Sequence, residues 1–410
     1  MKNYLFIWLV ILSFVPVSLS AQKFRLTDST ARFVVVPFQL CNNLIIIKLT
    51  INGSDSLNFI FDTGVRRTIL VDSTDVNMRM LKNRTPIELK GLGNKYEIDA
   101  YLSTQNQIGI QNLTGSRQWV CVVTTSLPFL TQKIGMRIHG LIGYDLLKHF
   151  VTEIDFKKQQ LVFYRPEKFK SRKVRHSTIL PLELDDEKPI VNIAVKTGGK
   201  VHQLRTLVDT GLNDALWLFT CNTNELDCPQ PNFFTVLGGG LNGDITGNMA
   251  KLDSVMVGNY TLRKVVAGFP DSSTLDDISL LRNRQASIGN DLLRRFKVYL
   301  NYPQQYIALV SNNSYYEPFQ YNRSGLEVLA PYAGLPIYEV SWVRIDSPAD
   351  KAGVMPGDLI QSVNNKKTVY FKIDEIVGMI NPGKAKRVRL KVLRNGIEMQ
   401  LCMRVKGELD

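Results

Sequence analysis

The chain reads as mainly β: one β unit used twice, followed by a smaller α+β segment. Three observations carry that reading. The triplet Asp62-Thr63-Gly64 returns as Asp209-Thr210-Gly211, 147 residues on, and each copy closes an apolar run, Leu57 to Phe61 and Leu204 to Val208. A second pair of words follows at nearly constant distance. Ile142-Gly143-Tyr144-Asp145-Leu146-Leu147 has its glycine 81 residues past Asp62, and Ile288-Gly289-Asn290-Asp291-Leu292-Leu293 has its glycine 80 past Asp209. From Arg323 onward none of these words recurs and the text changes character. Repetition of this kind decides architecture ahead of local propensity.

In chain order, residues 1–21 read as an export signal. Lys2 supplies the positive end, Tyr4 to Val17 is apolar apart from Ser13, and Ser18, Ser20 and Ala21 are the small residues of a cleavage site. The apolar core has the length of a secretory signal and is short for a membrane span, so no span is expected after its removal; an uncleaved anchor is the alternative. The first strand is expected over Phe33 to Leu40. It leaves only a short stretch after the signal, with no room for a long prosegment.

The first unit, 22–170, and the second, 171–320, carry matching text. A glycine-rich turn stands 29 residues past each triplet, Gly91-Leu92-Gly93 and Gly238-Gly239-Gly240. Asp155-Phe156 and Asn301-Tyr302 each lie 12 residues past the second glycine word, inside strand-like stretches Thr152 to Tyr164 and Lys297 to Val310. Leu44 to Ile51, Trp119 to Val123, Ile190 to Val195 and Lys251 to Val257 are short β-branched or alternating runs between Asn-Gly, Gly-Asn and Asp-Ser turns, which is strand punctuation. Only the Asp-Leu-Leu segments read as helical, with Leu146, Leu147 and Phe150, and likewise Leu292, Leu293 and Phe296, on one face.

The last segment, 321–410, runs from Gly334-Leu335-Pro336-Ile337 through an apolar strand to Val343. It continues with Ser347-Pro348-Ala349, Ala352-Gly353-Val354 and Gly357-Asp358-Leu359-Ile360. An amphipathic helix is expected around Ile373 to Ile380, and Asn395-Gly396 predicts a hairpin at the end.

Two β-lobes, each presenting one Asp-Thr-Gly and one apolar-Gly word, resemble the pepsin and retropepsin superfamily of aspartic peptidases over about residues 32 to 312. That resemblance implies two acid-protease lobes with catalytic Asp62 and Asp209 meeting between them. Thr63 and Thr210 would interlock beneath, Gly64 and Gly211 would let the loops turn closely, and Gly143 and Gly289 would thread against those loops. The glycine turns Gly91 to Gly93 and Gly238 to Gly240 would be flaps. The 321–410 text closely resembles bacterial PDZ domains, with an implied peptide groove along Gly334, Leu335, Pro336 and Ile337 against the helix. Pro336 removes one N–H there, so capture of a free C-terminus, of an internal strand, or docking on the chain's own lobes all stay open.

The chemistry requires two carboxylates. Facing like charges cannot both ionise cheaply, so the pair shares a proton; one member acts as base on water while the other polarises the scissile carbonyl. No cofactor or metal is expected, and the sequence contains no His-Glu-x-x-His, Cys-x-x-Cys or Gly-x-Ser-x-Gly. The four histidines read as surface or helix-end residues. Pepsins place a hydroxyl residue after the triplet, where this chain has Val65 and Leu212, so a dyad that titrates higher than in pepsins is expected. The expected partner is a peptide or protein substrate, with a peptide ligand for the PDZ domain; the other class of reading is a non-catalytic peptide-binding scaffold.

The net charge of +13 concentrates around Lys157 to Arg175, between the repeats. No nucleic-acid module accompanies it, so no nucleic acid is expected; a solvated linker or contact with an anionic envelope surface are the two readings. Among five cysteines, Cys221 and Cys228 resemble the small disulfide loop of pepsin-like lobes. The pairing of Cys41 and Cys121 is open, and Cys402 is left over.

Overall fold

Each strand forms where side chains alternate between a core and solvent. Phe33–Pro37 buries Val34 and Val36 and exposes the residues between, the period-two pattern of a half-covered strand. Strands that are covered on both faces lose the alternation, as in Leu216–Leu218, where all three residues are buried. The computed structural model describes residues 22–409 other than 90, 92–97, 126, 224, 225, 241, 242, 276–280, 282 and 385. The signal-like residues 1–21 and, of the expected flap residues, Leu92 and Gly93 therefore lie outside the described residues.

The fold is mainly β, two homologous lobes and a third, smaller unit. Among the described residues the two lobes have the same strand topology. In the first, Leu57–Phe61 lies between Leu44–Ile51 and Gly140–Ile142, and Gly140–Ile142 leads on to Thr68–Leu70 and Leu113–Val123. In the second, Lys200–Val208 lies between Lys188–Thr197 and Ala286–Ile288, and Ala286–Ile288 leads on to Leu216–Leu218 and Val266–Pro270. Each lobe also projects a hairpin, Lys82–Leu89 with Ile98–Ile110 and Asn232–Gly240 with Gly243–Lys251. Gly238, Gly239 and Gly240 are the end of the second hairpin's first arm; Gly91 follows the first hairpin's first arm.

The lobes are joined beneath by a shared sheet. Val151–Asp155 pairs antiparallel with Phe296–Asn301, so equivalent strands of the two repeats lie side by side. One hydrophobic cluster runs through both lobes, including Phe61, Phe163, Leu216 and Leu300. Two elements were not legible beforehand. Lys23–Leu26 is a strand on the edge of Leu113–Val123, ahead of the expected first strand. Pro128–Ile134 is a helix, with proline in its first turn and Gly135 at φ 73° closing it, the usual proline-start and glycine-stop signals.

The third unit packs its own core, with Val340, Ile360, Ile376 and Leu390 buried. Helix Ile373–Ile380 turns Ile373, Ile376 and Ile380 inward. The Asn395-Gly396 turn has both residues at positive φ, 51° and 81°, as a two-residue hairpin requires. The aspartate of Gly357-Asp358 is buried, and its carboxylate accepts from Arg394 Nε at 2.6 Å and Nη2 at 2.7 Å. That pair ties the loop to the last hairpin.

Of the expected groove, Gly334, Leu335 and Pro336 line a cavity with Lys372, Ile373 and Asp374 at the start of the helix. Leu326–Leu329 pairs on one side with Glu339–Val343. Helix Ile373–Ile380 runs beside it, with Asn381 accepting from Ser324 N at 2.9 Å. The free sheet edge beside the helix is therefore Leu326–Leu329. Gly334, Leu335, Pro336 and Ile337 lie in the connection after it; the four-residue strand in front of them is too short to be separated from the loop by its pattern. The start of that edge is already satisfied, because Gly325 N donates to Asn322 Oδ1 at 2.9 Å. Its far end is taken by the first lobe, since Ala330 N donates to the Gln132 carbonyl at 2.9 Å.

Cysteine and histidine expectations also change. All five cysteines are free: Cys221 sits exposed in a 3-10 turn, whereas Cys228 packs against the lobe core, so the expected bridge is not formed. Cys41 and Cys121 are buried thiols in one apolar cluster, and burial pushes Cys121 up to about 11. His139 is buried, accepting from Asn58 N at 3.0 Å and facing Asp75 at 3.0 Å, so it is a structural bridge and not a surface residue. In the basic cluster, Lys157 faces Glu317 at 3.6 Å and Lys173 faces Glu153 at 3.7 Å.

Candidate active site

The two triplets are brought together by the strands that precede them. Asp62 follows Leu57–Phe61 and donates its N–H to the Ile142 carbonyl at 2.9 Å; Asp209 follows Lys200–Val208 and donates to Ile288 at 2.9 Å. Each Ile-Gly word thus runs parallel to the strand that carries an aspartate and locks its first loop bond. Gly143 and Gly289 must be glycine for this. A Cβ at Gly143 would lie 2.0 Å from the Asp62 carbonyl, and one at Gly289 would lie 2.2 Å from that of Asp214.

Beneath the aspartates the threonines interlock reciprocally. Thr63 N donates to Thr210 Oγ1 and Thr210 N to Thr63 Oγ1, each at 3.0 Å. Thr63 Oγ1 then donates to the Val208 carbonyl at 2.5 Å and Thr210 Oγ1 to Phe61 at 2.8 Å. Both threonines are fully buried, so both hydroxyls and both N–H groups of this cross-brace are satisfied inside the protein, where an unmade bond costs most. Asn290 adds a strut, donating Nδ2 to the Thr210 carbonyl at 2.7 Å.

The carboxylates share one small space. The position a Cβ would take at Gly64 is 3.1 Å from Asp62 Oδ1 and 3.3 Å from Asp209 Oδ1; at Gly211 it is 2.4 Å from Asp62 Oδ2. Gly64 N donates to Asp62 Oδ1 at 2.7 Å and Gly211 N to Asp209 Oδ1 at 3.0 Å. Burial, then the charge of Asp209, pushes the Asp62 carboxyl up to about 7. Burial also raises Asp209, against the pull of Arg284 and of its loop N–H groups. A pair held this way keeps one proton over a wide pH range and can present an acid and a base to the same atom.

Two neighbours were not singled out in the sequence. Arg284 and Lys188 both act on Asp209, and Lys188 also on Asp62. A cation shows its target only when the chain is folded; the single signal available was an arginine just ahead of the second Ile-Gly word. The helix Pro128–Ile134 was also missed, and it joins all three parts of the molecule. A Cβ at Gly239 in the second hairpin would lie 3.3 Å from the Phe129 ring, and Lys133 Nζ is 2.8 Å from Asp244. A Cβ at Gly135 would lie 3.0 Å from Ile373 of the third unit. Among the described residues no cluster of metal-ligating side chains occurs, and no helix is long and apolar enough to cross a membrane.

Comparison with known proteins places part of this architecture. Residues 339–394 match the PDZ domain family, so the chain carries a PDZ domain. A probable periplasmic serine endoprotease, DegP-like, from Hahella chejuensis (strain KCTC 2396) is 39% identical over 71 residues, 17% of this chain and 14% of that protein. The match spans a small part of that relative's length. The solved structure of an aspartic proteinase from Irpex lacteus superposes with a TM-score of 0.45 at 11% identity, covering 70% of this chain and 99% of that one.

Proposed function

We propose that the protein is an exported aspartic-type endopeptidase, with residues 1–21 as its signal, Asp62 and Asp209 as its catalytic pair and the PDZ domain controlling substrate access. The observation that supports this most is the pair of buried carboxylates meeting on glycine loops that the threonine cross-brace holds rigid. In the mechanism a water lies between them. The ionised carboxylate takes a proton from that water as its oxygen bonds to the scissile carbonyl carbon. The protonated partner gives its proton to the carbonyl oxygen, producing a neutral tetrahedral diol. Collapse of the diol breaks the C–N bond, the proton taken from water passes to the leaving nitrogen, and one diol O–H proton returns to the pair. No covalent enzyme intermediate forms.

This reading fixes a pH dependence. The pair works with one proton, and with Asp62 raised to about 7 the second carboxylate ionises as pH rises through that value. Peptide hydrolysis is therefore expected to peak at mildly acidic pH, fall above about pH 7, and be blocked by a statine-containing peptide. Val65→Ser supplies a donor that favours the ionised form, so it is expected to move the alkaline limb to lower pH. A pH–rate profile peaking below about pH 3, or an alkaline limb that Val65→Ser leaves in place, contradicts the assignment.

The PDZ edge docks on the same helix that meets the second hairpin, so peptide capture there competes with a contact to the lobes. Glu327, half-buried on this seam, is held by Asn322 Nδ2 at 2.9 Å and lies within the field of Lys133 and Asp244. Lys133→Glu places a third carboxylate in that group. We expect faster amide exchange over Leu326 to Ala330 and a several-fold change in cleavage of long unfolded substrates, both reversed by Asp244→Lys. Unchanged exchange in Lys133→Glu rules out this coupling. Point variants suit the test better than truncation, because Leu409 returns to the lobe core and its N–H donates to Tyr321 Oη at 3.1 Å.

A further inference from the structure

The sheet that joins the lobes has one face in the core and one toward solvent. Its inner face packs through Val34, Ile154, Phe163 and Leu300 on the cluster that also holds Phe61 and Val208, the residues just ahead of the two aspartates. Its outer face carries Val162 and Tyr164 on one half and Tyr299 and Ala308 on the other. Residues paired in register point to the same side of a sheet. Phe33 pairs with Tyr164, Val35 with Val162 and Ile179 with Ala308, so all three project outward. They remain 50%, 41% and 52% exposed.

The basic segment between the repeats lies across that outer face. Phe169 bridges the two halves, its ring 5.2 Å from Tyr164 and 6.1 Å from Tyr299, and Val174 packs with Tyr299 and Ala308. Residues 165–175 carry six basic side chains and one acidic, Glu167. The acidic groups of the sheet face itself are buried and already neutralised: Lys297 Nζ lies 2.8 Å from Asp155 and 3.2 Å from Glu153, and Lys173 lies 3.7 Å from Glu153. Lys168, Lys170, Arg172 and Arg175 are exposed and have no ion pair among the described residues. Single exposed apolar residues are ordinary. Here three of them share one face with a block of unpaired cations, the composition of a surface whose charges meet anionic headgroups and whose apolar side chains reach the acyl boundary. A nucleic acid would engage the cations and leave Val35 and Ile179 without a partner.

We propose that the outer face of the shared sheet docks the protein on an anionic lipid bilayer, through Lys170, Arg172 and Arg175 with Phe33 and Ile179. The lobes that carry Asp62 and Asp209 pack on the opposite side of this sheet, so docking leaves the loops of the pair uncovered. The inference goes beyond the peptidase reading and does not depend on the pair being catalytic.

The test is co-sedimentation of the chain from Gln22 onward, which keeps every described element and lacks the apolar run over residues 4–17 that would bind bilayers by itself. Vesicles of phosphatidylglycerol mixed with phosphatidylcholine are compared with phosphatidylcholine alone. Binding is expected to the anionic vesicles only, weakening as salt is raised. Lys170→Glu with Arg172→Glu should lower that affinity at least about tenfold, because each basic residue near an anionic surface supplies roughly a factor of five. Its melting temperature should stay at the wild-type value; if that variant does not fold, Lys168→Glu with Arg175→Glu takes its place. Phe33→Ser should lower the affinity several-fold at low and high salt alike, since burial of the ring is the part that salt does not screen. Equal binding to both vesicle types, no binding to anionic vesicles at low salt, or an affinity that the charge reversals leave unchanged overturns the proposal. So does charge-dependent binding that Phe33→Ser leaves untouched and that double-stranded DNA competes away, since the face would then take polyanions of any kind.

Discussion

Asn at either position 62 or 209 is expected to cut peptide hydrolysis by at least about 10³-fold while making the fold more stable near neutral pH, because general acid–base groups contribute on that scale and amides cannot replace them. The stability gain follows from proton linkage. Burial raises Asp62 to about 7 from the ordinary carboxyl value of 3.8, so between those pH values the folded state holds a proton that the unfolded state has released. This contribution is fully present below the unfolded value and is lost as pH rises through about 7. Asparagine cannot ionise, so Asp62→Asn escapes the loss, by an amount on the order of 2 kcal/mol. Thermal melts at pH 5 and pH 8 should show the variant gaining on wild type at the higher pH. Turnover near the wild-type level in either Asn variant would falsify the shared-proton mechanism.

What could be read in advance follows the physics of repetition. Asp62, Asp209, Gly143 and Gly289 were legible because backbone contacts under 3 Å leave glycine no substitute, and because the same constraint acts twice in one chain. Asp358 was legible for a related reason: a buried carboxylate held by both arms of Arg394 fixes a short word in a loop. Contacts set by distant packing left no such trace. Nothing local marks Ala330 N for the Gln132 carbonyl, nor tells a four-residue edge strand from the loop beside it. Arg284 and Lys188 were hidden for the opposite reason. A lone basic residue in a chain of charge +13 is ordinary until the fold buries it.

Gly211→Ala is expected to abolish activity in a chain that still folds, whereas Gly64→Ala should retain a measurable fraction. The two glycines occupy equivalent places in the repeat, yet their surroundings differ. A methyl at 211 meets Asp62 Oδ2 at 2.4 Å and its Cγ at 2.5 Å; a methyl at 64 meets nothing closer than 3.1 Å. The first displacement falls on the end of a side chain, so the carboxylate can rotate away. The core survives and the pair no longer shares a proton. The second needs only a few tenths of an ångström. Gly143→Ala is the control for overpacking, since its methyl would strike the Asp62 carbonyl at 2.0 Å and Val65 O at 2.6 Å, and backbone cannot rotate aside. That variant is expected to lose several kcal/mol, on the scale of severe overpacking and strain, and to be recovered mostly unfolded. Measuring turnover, melting temperature and the alkaline limb together separates the three. Loss of turnover in folded Gly211→Ala, with Gly64→Ala keeping both turnover and the alkaline limb near pH 7, is the pattern that the facing carboxylates require. Equal activity in Gly211→Ala and wild type would mean that Asp62 does not face the second loop during catalysis.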